Sequence, residues 1–257
     1  MTRDTTVAAL EVDGYTVLDS LVPSDLLQNF EQEIAQLSQS CGQRIGISGH
    51  RDDGLLGAFR RGGAYRGILY QLIQGLPALR RIGDHLAKTE PIAALLQHYQ
   101  FELPAFSQSM RVDIPNEPDF LLPPHQDYAS MRSHKAFRIW LPLRDADTHN
   151  GTMAVYPGTH RQGVLDHTSG DPRYPSVPEN NLPDEQAIIV AASGTGVLFD
   201  MLLVHRSIAN QSDRIKFTLT FTVQDLVAIA DPDDRDDPVG QYFHLHRTRT
   251  DARKTSS

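Results

Sequence analysis

The sequence predicts one mainly β domain, an antiparallel sandwich or barrel preceded by a helical N-terminal flank. Three observations predict it. Apolar residues recur at helical spacing through roughly the first hundred positions, then switch to short alternating runs from residue 105 onward. Those runs follow one another with Pro, Gly, Asn and Asp between them and no helical stretch intervening, which is the order of an antiparallel fold. A length of 257 residues suits a single sizeable core.

The elements follow in order. Tyr15 to Leu18 reads as a short strand. Pro23-Ser24-Asp25 opens a helix over about 24–39, with Leu26, Phe30, Ile34 and Leu37 on one apolar stripe. Ile68, Leu69, Leu72 and Ile73 predict a second helix. Leu79, Ile82 and Leu86 behind Pro77 predict a third, and Ile92, Leu95, Leu96 and Tyr99 behind Pro91 a fourth. The Gly/Arg-rich stretch Gly42 to Gly63 reads as a mobile loop. The clearest strand is Ile215 to Gln224, where Ile215, Phe217, Leu219, Phe221 and Val223 alternate with Lys216, Thr218, Thr220, Thr222 and Gln224, as in a strand with one buried face. Ser107–Ile114, Phe137–Leu143, Thr152–Tyr156, Ala187–Ala192 and Gly196–Val204 are the other strands. The single domain, 1–257, thus divides into a helical flank (1–104), a β core (105–224) and a charged, partly disordered tail (231–257).

A formal charge of −8 and a pI near 5.7 give no broad basic surface, which disfavours a nucleic-acid or anionic-membrane partner. Cys41 is the only cysteine, so no intrachain disulfide forms, and a reducing compartment, the cytoplasm, is expected. The opening residues hold no signal-peptide core, and the longest apolar segment, Val197 to Val204, is interrupted by Asp200, so no membrane span is expected. Oligomeric state leaves no mark in the sequence.

The chemistry rests on a spaced pair and a distant histidine. A redox-active iron(II) that takes a chelating cosubstrate and dioxygen needs open positions, so the protein supplies three ligands on one face, two imidazoles and a carboxylate. His125-Gln126-Asp127 follows the proline-rich approach LLPPHQD, and residues i and i+2 of extended chain point the same way. His205 closes the apolar run GVLFDMLLVH. With eleven histidines, a His-x-Asp match alone is equally compatible with a solvated turn. A second match, His50-Arg51-Asp52, sits in the Gly/Arg-rich loop before the strands begin, a poorer context. Arg214 strengthens the first reading: it opens the best strand, nine residues after His205, across a turn SIANQSD. A guanidinium there suits the distal carboxylate of 2-oxoglutarate. A plain surface arginine beside Asp213 is the alternative.

Four ordered blocks then carry a resemblance: PHQD (124–127), FRIWLPL (137–143), NGTMAVYPGTHRQG (150–163) and LLVHRSIANQSDR (202–214). Together they resemble the phytanoyl-CoA dioxygenase family of iron(II)/2-oxoglutarate oxygenases. The likeness covers roughly 105–224, with a weaker match in DGYTVLDSLVP. It implies a double-stranded β-helix, a cupin-like jelly-roll of two facing sheets flanked by N-terminal helices, with the metal in its mouth. It also implies His125, Asp127 and His205 as iron ligands, Arg214 as clamp for the 5-carboxylate and Ser207 as an additional contact to that carboxylate. Trp140 and Met110 match positions lining the cosubstrate pocket, where core packing is the alternative, and Gln108 is a further candidate. His160, in the family's Pro-Gly-Ser/Thr-His turn, is structural by the same likeness, and His134, His149 and His167 read as ordinary loop histidines.

The implied reaction uses iron(II), 2-oxoglutarate and dioxygen to oxidise a small metabolite or natural-product intermediate, hydroxylation being the default, with release of succinate and carbon dioxide. Desaturation, epimerisation or ring formation are same-fold alternatives. A halogenase is disfavoured, because Asp127 fills the position a halide would need. A non-catalytic cupin-like metal- or ligand-binding module would have no use for a dicarboxylate clamp. The substrate pocket is expected from Gly42–Gly63, Tyr128–Lys135 and Asp166–Asp184, where Arg51, Arg60, Arg61 and Arg132 either receive an anionic group or are solvated charge.

Overall fold

The computed structural model describes residues 3–231 except 50, 118–120, 132 and 169–175. The charged tail, His50, Arg132 and the middle of the Asp166–Asp184 insertion lie outside the described residues.

The N-terminal flank holds six helices, α1 (Arg3–Asp13), α2 (Ser24–Ile45), α3 (Asp53–Arg60), α4 (Gly63–Gln74), α5 (Pro77–Leu86) and α6 (Glu90–His98), with β1 (Tyr15–Leu18) after the first. The four helices expected from periodicity are present. Three differences have physical reasons. α1 precedes β1 and tucks Val7 and Leu10 into the core, a stripe too short to show in the sequence. α2 continues past residue 39 to Ile45, because Ser38, Cys41 and Gly42 extend its buried face, and it stops at Gly46 in the left-handed region (φ +70°). The expected loop Gly42–Gly63 instead contains α3, whose Leu55, Ala58 and Phe59 are fully buried. Its glycines serve close packing: a Cβ on Gly54 would lie 2.1 Å from the Ser38 carbonyl oxygen and 2.6 Å from the Gly42 nitrogen, so α2 and α3 touch backbone to backbone.

The β core comprises β2 (Pro104–Asp113), β3 (Ala136–Pro142), β4 (Asn150–Val155), β5 (Ala187–Ile188), β6 (Gly196–Asp200), β7 (His205–Asn210) and β8 (Lys216–Asp225). Two antiparallel sheets face each other, one in the order β1-β6-β3-β8-β2 and one in the order β5-β4-β7. This is the jelly-roll. The expected strand 196–204 is broken after Asp200, whose carboxylate accepts from the Leu202 N–H (2.7 Å) and turns the chain so that a new strand starts at His205. The expected turn SIANQSD therefore begins as the body of β7. β5 ends at Ile188, and Ala191 continues only as an isolated bridge to Ala146.

Alternation assigns each face of the large sheet. Met110, Val112, Phe137, Ile139, Leu141, Phe217, Leu219, Phe221 and Val223 pack in one cluster with the helices. Trp140, Val197 and Phe199 point the other way, against Met153, Val155 and Ile189 between the sheets. Lys216 and Thr218 share that inner side of β8 and are 3% and 0% exposed, so this strand is buried on both faces. Among the described residues no helix is long and apolar enough to cross a membrane.

Candidate metal centre

The site grows from one cross-strand pair. His125 and His205 exchange both backbone hydrogen bonds, each N–H donating to the other's carbonyl oxygen at 3.0 Å, which sets their side chains side by side at the open end of the small sheet. Their ring centroids are 4.3 Å apart. Two residues on, the Asp127 N–H donates to the Met201 carbonyl at 2.9 Å, bringing its carboxylate to the same point. Gln126 faces the opposite way. Its amide donates to the Gly163 and Leu202 carbonyls (2.9 and 2.7 Å) and accepts from the Leu165 N–H (2.9 Å), which locks the orientation of the residues on either side.

The three side chains are prepared for a cation. His125 Nδ1 lies 2.8 Å from the Pro123 carbonyl and His205 Nδ1 lies 3.1 Å from that of Leu203, so each Nδ1–H donates and each Nε2 keeps its lone pair for the cavity. Those Nε2 atoms are each 3.6 Å from an Asp127 oxygen, His125 from Oδ1 and His205 from Oδ2. All three ligand atoms lie within 4.8 Å of one another. Nitrogen and oxygen ligands sit about 2.0–2.2 Å from a divalent transition metal, so a single ion can touch all three after a small contraction. Burial first, and His125 second, push the His205 pKa down to about 4, keeping its ring neutral. Burial alone would raise the Asp127 pKa, but Arg138, His205 and His125 outweigh it and hold the carboxyl well below its usual range. Asp127 Oδ2 is buried without a hydrogen bond and pairs with the Arg138 guanidinium, whose Nε lies 2.8 Å away. Two imidazoles and one carboxylate, all from one side, fit a metal with open positions.

A narrow cavity of about 80 Å³ opens beside these ligands, lined by Ser207, Trp140, Thr220, Arg138, Arg111, Asp113 and Lys216 among others. Of the sequence-derived candidates, His125, Asp127, His205, Ser207 and Trp140 are brought together here. The rest are not. Arg214 is half-exposed at 49%, with its Nη2 3.5 Å from Asp52 Oδ2, and it lines a wider groove of about 960 Å³ against α2. Asp52, from the discarded second His-x-Asp match, is a buried anchor for Arg144 (2.6 Å). Met110 and Gln108 lie on the outer face of β2, Met110 in the helical core and Gln108 against Gly83 of α5, and so turn away from the cavity. His160 packs under Gly14 with Nε2 3.2 Å from the Glu11 carbonyl, a structural role. His167, expected to be an ordinary loop histidine, accepts from the Gln126 N–H through Nε2 (3.3 Å).

The residues that sequence reading missed are the interior charges. Lys216 Nζ is 3.1 Å from Asp113 Oδ2 and sits over the Trp140 ring (5.1 Å), and Arg111 Nε is 2.5 Å from Asp113 Oδ1. Lys216 and Arg111 thus share the Asp113 carboxylate between the sheets, and among the described residues the buried Thr218 hydroxyl on the same face has no hydrogen-bond partner. Burial lowers the Lys216 pKa despite Asp113. A jelly-roll strand is covered on both sides, and that was the available signal: a lysine in alternation with threonines on β8 points inward.

Residues 10–218 match the sequence profile of the family described as "Phytanoyl-CoA dioxygenase (PhyH)". "Phytanoyl-CoA dioxygenase domain-containing protein 1" of Danio rerio is 27% identical over 174 residues, covering 58% of this chain and 58% of its own. The chain therefore spans less than two thirds of that relative's length. Among solved structures, "the non-heme alpha ketoglutarate dependent epimerase SnoN from nogalamycin biosynthesis" superposes with a TM-score of 0.56 at 18% identity, covering 87% of this chain and 80% of its own. EvdO2 from Micromonospora carbonacea var. aurantiaca gives a TM-score of 0.56 at 19% identity over 93% and 96%. At these identities the superpositions speak for the fold.

Proposed function

Because the chain belongs to the phytanoyl-CoA dioxygenase family, we propose that it is an iron(II)- and 2-oxoglutarate-dependent oxygenase acting on a small organic molecule. The observation that carries this reading is the convergence of His125, Asp127 and His205 on one point beside a positively charged cavity. In support, two structures similar in fold are described as complexed with Fe3+ and alpha ketoglutarate (SnoN) and with 2-oxoglutarate (EvdO2). When bound, iron and 2-oxoglutarate supply an oxidant made from dioxygen that removes hydrogen from a C–H bond, with succinate and carbon dioxide as by-products.

The chain's own residues do the rest. His125, Asp127 and His205 hold the ion and leave its remaining positions open. The distal carboxylate of the cosubstrate falls to Lys216 with Arg111, in place of Arg214: both line the cavity and meet at Asp113, whereas the cavity's Arg138 is engaged by Asp127. Ser207 and Thr220 offer hydroxyls and Trp140 a flat wall in the same space. Hydroxylation is the default outcome, and the epimerase of similar fold marks the alternative fate of the same carbon. The single buried Cys41 favours work in a reducing compartment such as the cytoplasm.

The test is purified protein with iron(II), 2-oxoglutarate and dioxygen over a broad panel of small metabolites. Succinate formation that depends on both a substrate and Asp127 supports the reading, and product mass distinguishes oxygen insertion from epimerisation. Succinate absent across the panel, or retained in Asp127→Ala, rejects it.

A further inference from the structure

Arg138 reaches the metal centre from the middle of β3, and nothing in the reaction outlined above uses it. Its Nε lies 2.8 Å from Asp127 Oδ2, yet the N–H does not point at the oxygen, and both atoms are buried without a hydrogen bond. Its Nη2 donates to Ser130 Oγ at 2.7 Å, and Ser130 Oγ in turn donates to the Asp127 backbone carbonyl at 2.9 Å. Asp127 is thus gripped at both ends, by its carboxylate through Arg138 and by its carbonyl through Ser130. The strand that carries Arg138 is paired on both sides, with Phe199 and Thr222 opposite it, so the guanidinium has a rigid base.

The orientation of the carboxylate makes this grip consequential. Oδ1 faces His125 and Oδ2 faces His205 at equal distances of 3.6 Å, so both Asp127 oxygens border the space between the imidazoles and either or both could reach an ion held there. Chelation would consume a position needed by cosubstrate or dioxygen. We propose that Arg138 is a positioning residue that occupies Oδ2, so that Asp127 binds the metal through Oδ1 alone and the open positions are preserved. The inference rests on the metal centre proposed above.

Two effects of the guanidinium oppose each other. As a cation it repels a divalent ion, so its removal by itself would tighten metal binding. As an orienting group it sets the coordination mode, and its removal would alter the spectrum of the bound metal and the ability to take 2-oxoglutarate. The experiment separates them. Cobalt(II) is titrated into wild-type protein, Arg138→Met, Arg138→Lys and Ser130→Ala, recording the visible ligand-field bands and then their change on adding 2-oxoglutarate anaerobically. Arg138→Met is expected to show altered bands before 2-oxoglutarate is added and a weakening of 2-oxoglutarate binding on the order of 10–100-fold, the scale usual for groups that orient metal ligands. Arg138→Lys is expected to recover part of both, because an ammonium can still take Oδ2. Ser130→Ala, which loses only the brace, changes both in the same direction to a smaller degree and serves as the test if Arg138→Met does not fold. Wild-type bands and wild-type 2-oxoglutarate affinity in Arg138→Met overturn the proposal, as does a variant whose only change is tighter cobalt binding. Unchanged behaviour in Ser130→Ala overturns the brace. A wild-type protein that binds no cobalt removes the metal centre itself, and the role of Arg138 with it.

Discussion

Lys216→Met should weaken 2-oxoglutarate binding far more than Arg214→Ala, although Arg214 is the residue that sequence comparison selects. Lys216 is 3% exposed, and methionine replaces its stem at similar volume, so the substitution removes charge without opening a large cavity. Arg111 and Asp113 remain, so the substitution takes one positive charge from the cavity wall. A hydrogen bond to a charged group is worth about 1.5–3 kcal/mol, which corresponds to roughly 10–150-fold in the dissociation constant. Arg214 is 49% exposed and turned toward Asp52, so its loss should change 2-oxoglutarate affinity by less than about threefold, in keeping with the small worth of exposed ion pairs. The assay is anaerobic titration of 2-oxoglutarate into the iron-loaded variants, with iron affinity measured in parallel to show that the ligands are undisturbed. A tenfold or larger loss in Arg214→Ala together with a near-wild-type Lys216→Met would refute the reasoning and return the clamp to Arg214.

Other outcomes follow from the same structure. His205→Ala and Asp127→Ala should each abolish stoichiometric iron binding at micromolar protein, checked by metal analysis after gel filtration, while circular dichroism stays that of the wild type. Gly54→Ala should lower stability by about 1–3 kcal/mol or more in urea unfolding, because the added Cβ would lie 2.1 Å from the Ser38 carbonyl oxygen and must push α3 off α2. Asp113 links stability to pH: burial opposes its ionisation, but Lys216 and Arg111 hold its pKa below the ordinary value. A depressed acid stabilises the fold above its unfolded pKa of about 4 and loses that contribution as pH falls toward the folded value, so Asp113→Asn should flatten the acid side of a stability–pH profile.

Legibility in the sequence followed the length of the physical signal. α2 and β8 were readable because Leu26, Phe30, Ile34 and Leu37, and Phe217, Leu219 and Phe221, repeat one period over many residues. The grouping of His125, Asp127 and His205 was readable because two imidazoles and a carboxylate are the side chains a metal would require, and because extended chain puts i and i+2 on one side. Arg214 misled, since residue type and sequence distance do not show where a strand begins: β8 starts at Lys216, which lines the cavity, and Arg214 lies before it in the groove against α2. Met110 and Gln108 are a matter of parity, since they alternate along β2 with Arg111 and Asp113, which line the cavity. The Gly42–Gly63 stretch misled because glycine marks both turns and backbone contacts, and only the partner helix tells them apart. Arg138 and Ser130 were invisible, because their relation to Asp127 exists only once β3 lies beside the turn that follows the ligand.

The most direct measurement is an anaerobic optical titration of the wild-type protein with iron(II) in the presence of 2-oxoglutarate. A weak visible charge-transfer band that saturates at one iron per chain, requires 2-oxoglutarate and is missing in Asp127→Ala is the expected result. A folded wild-type protein that develops no such band with both components in excess would contradict the assignment of this site.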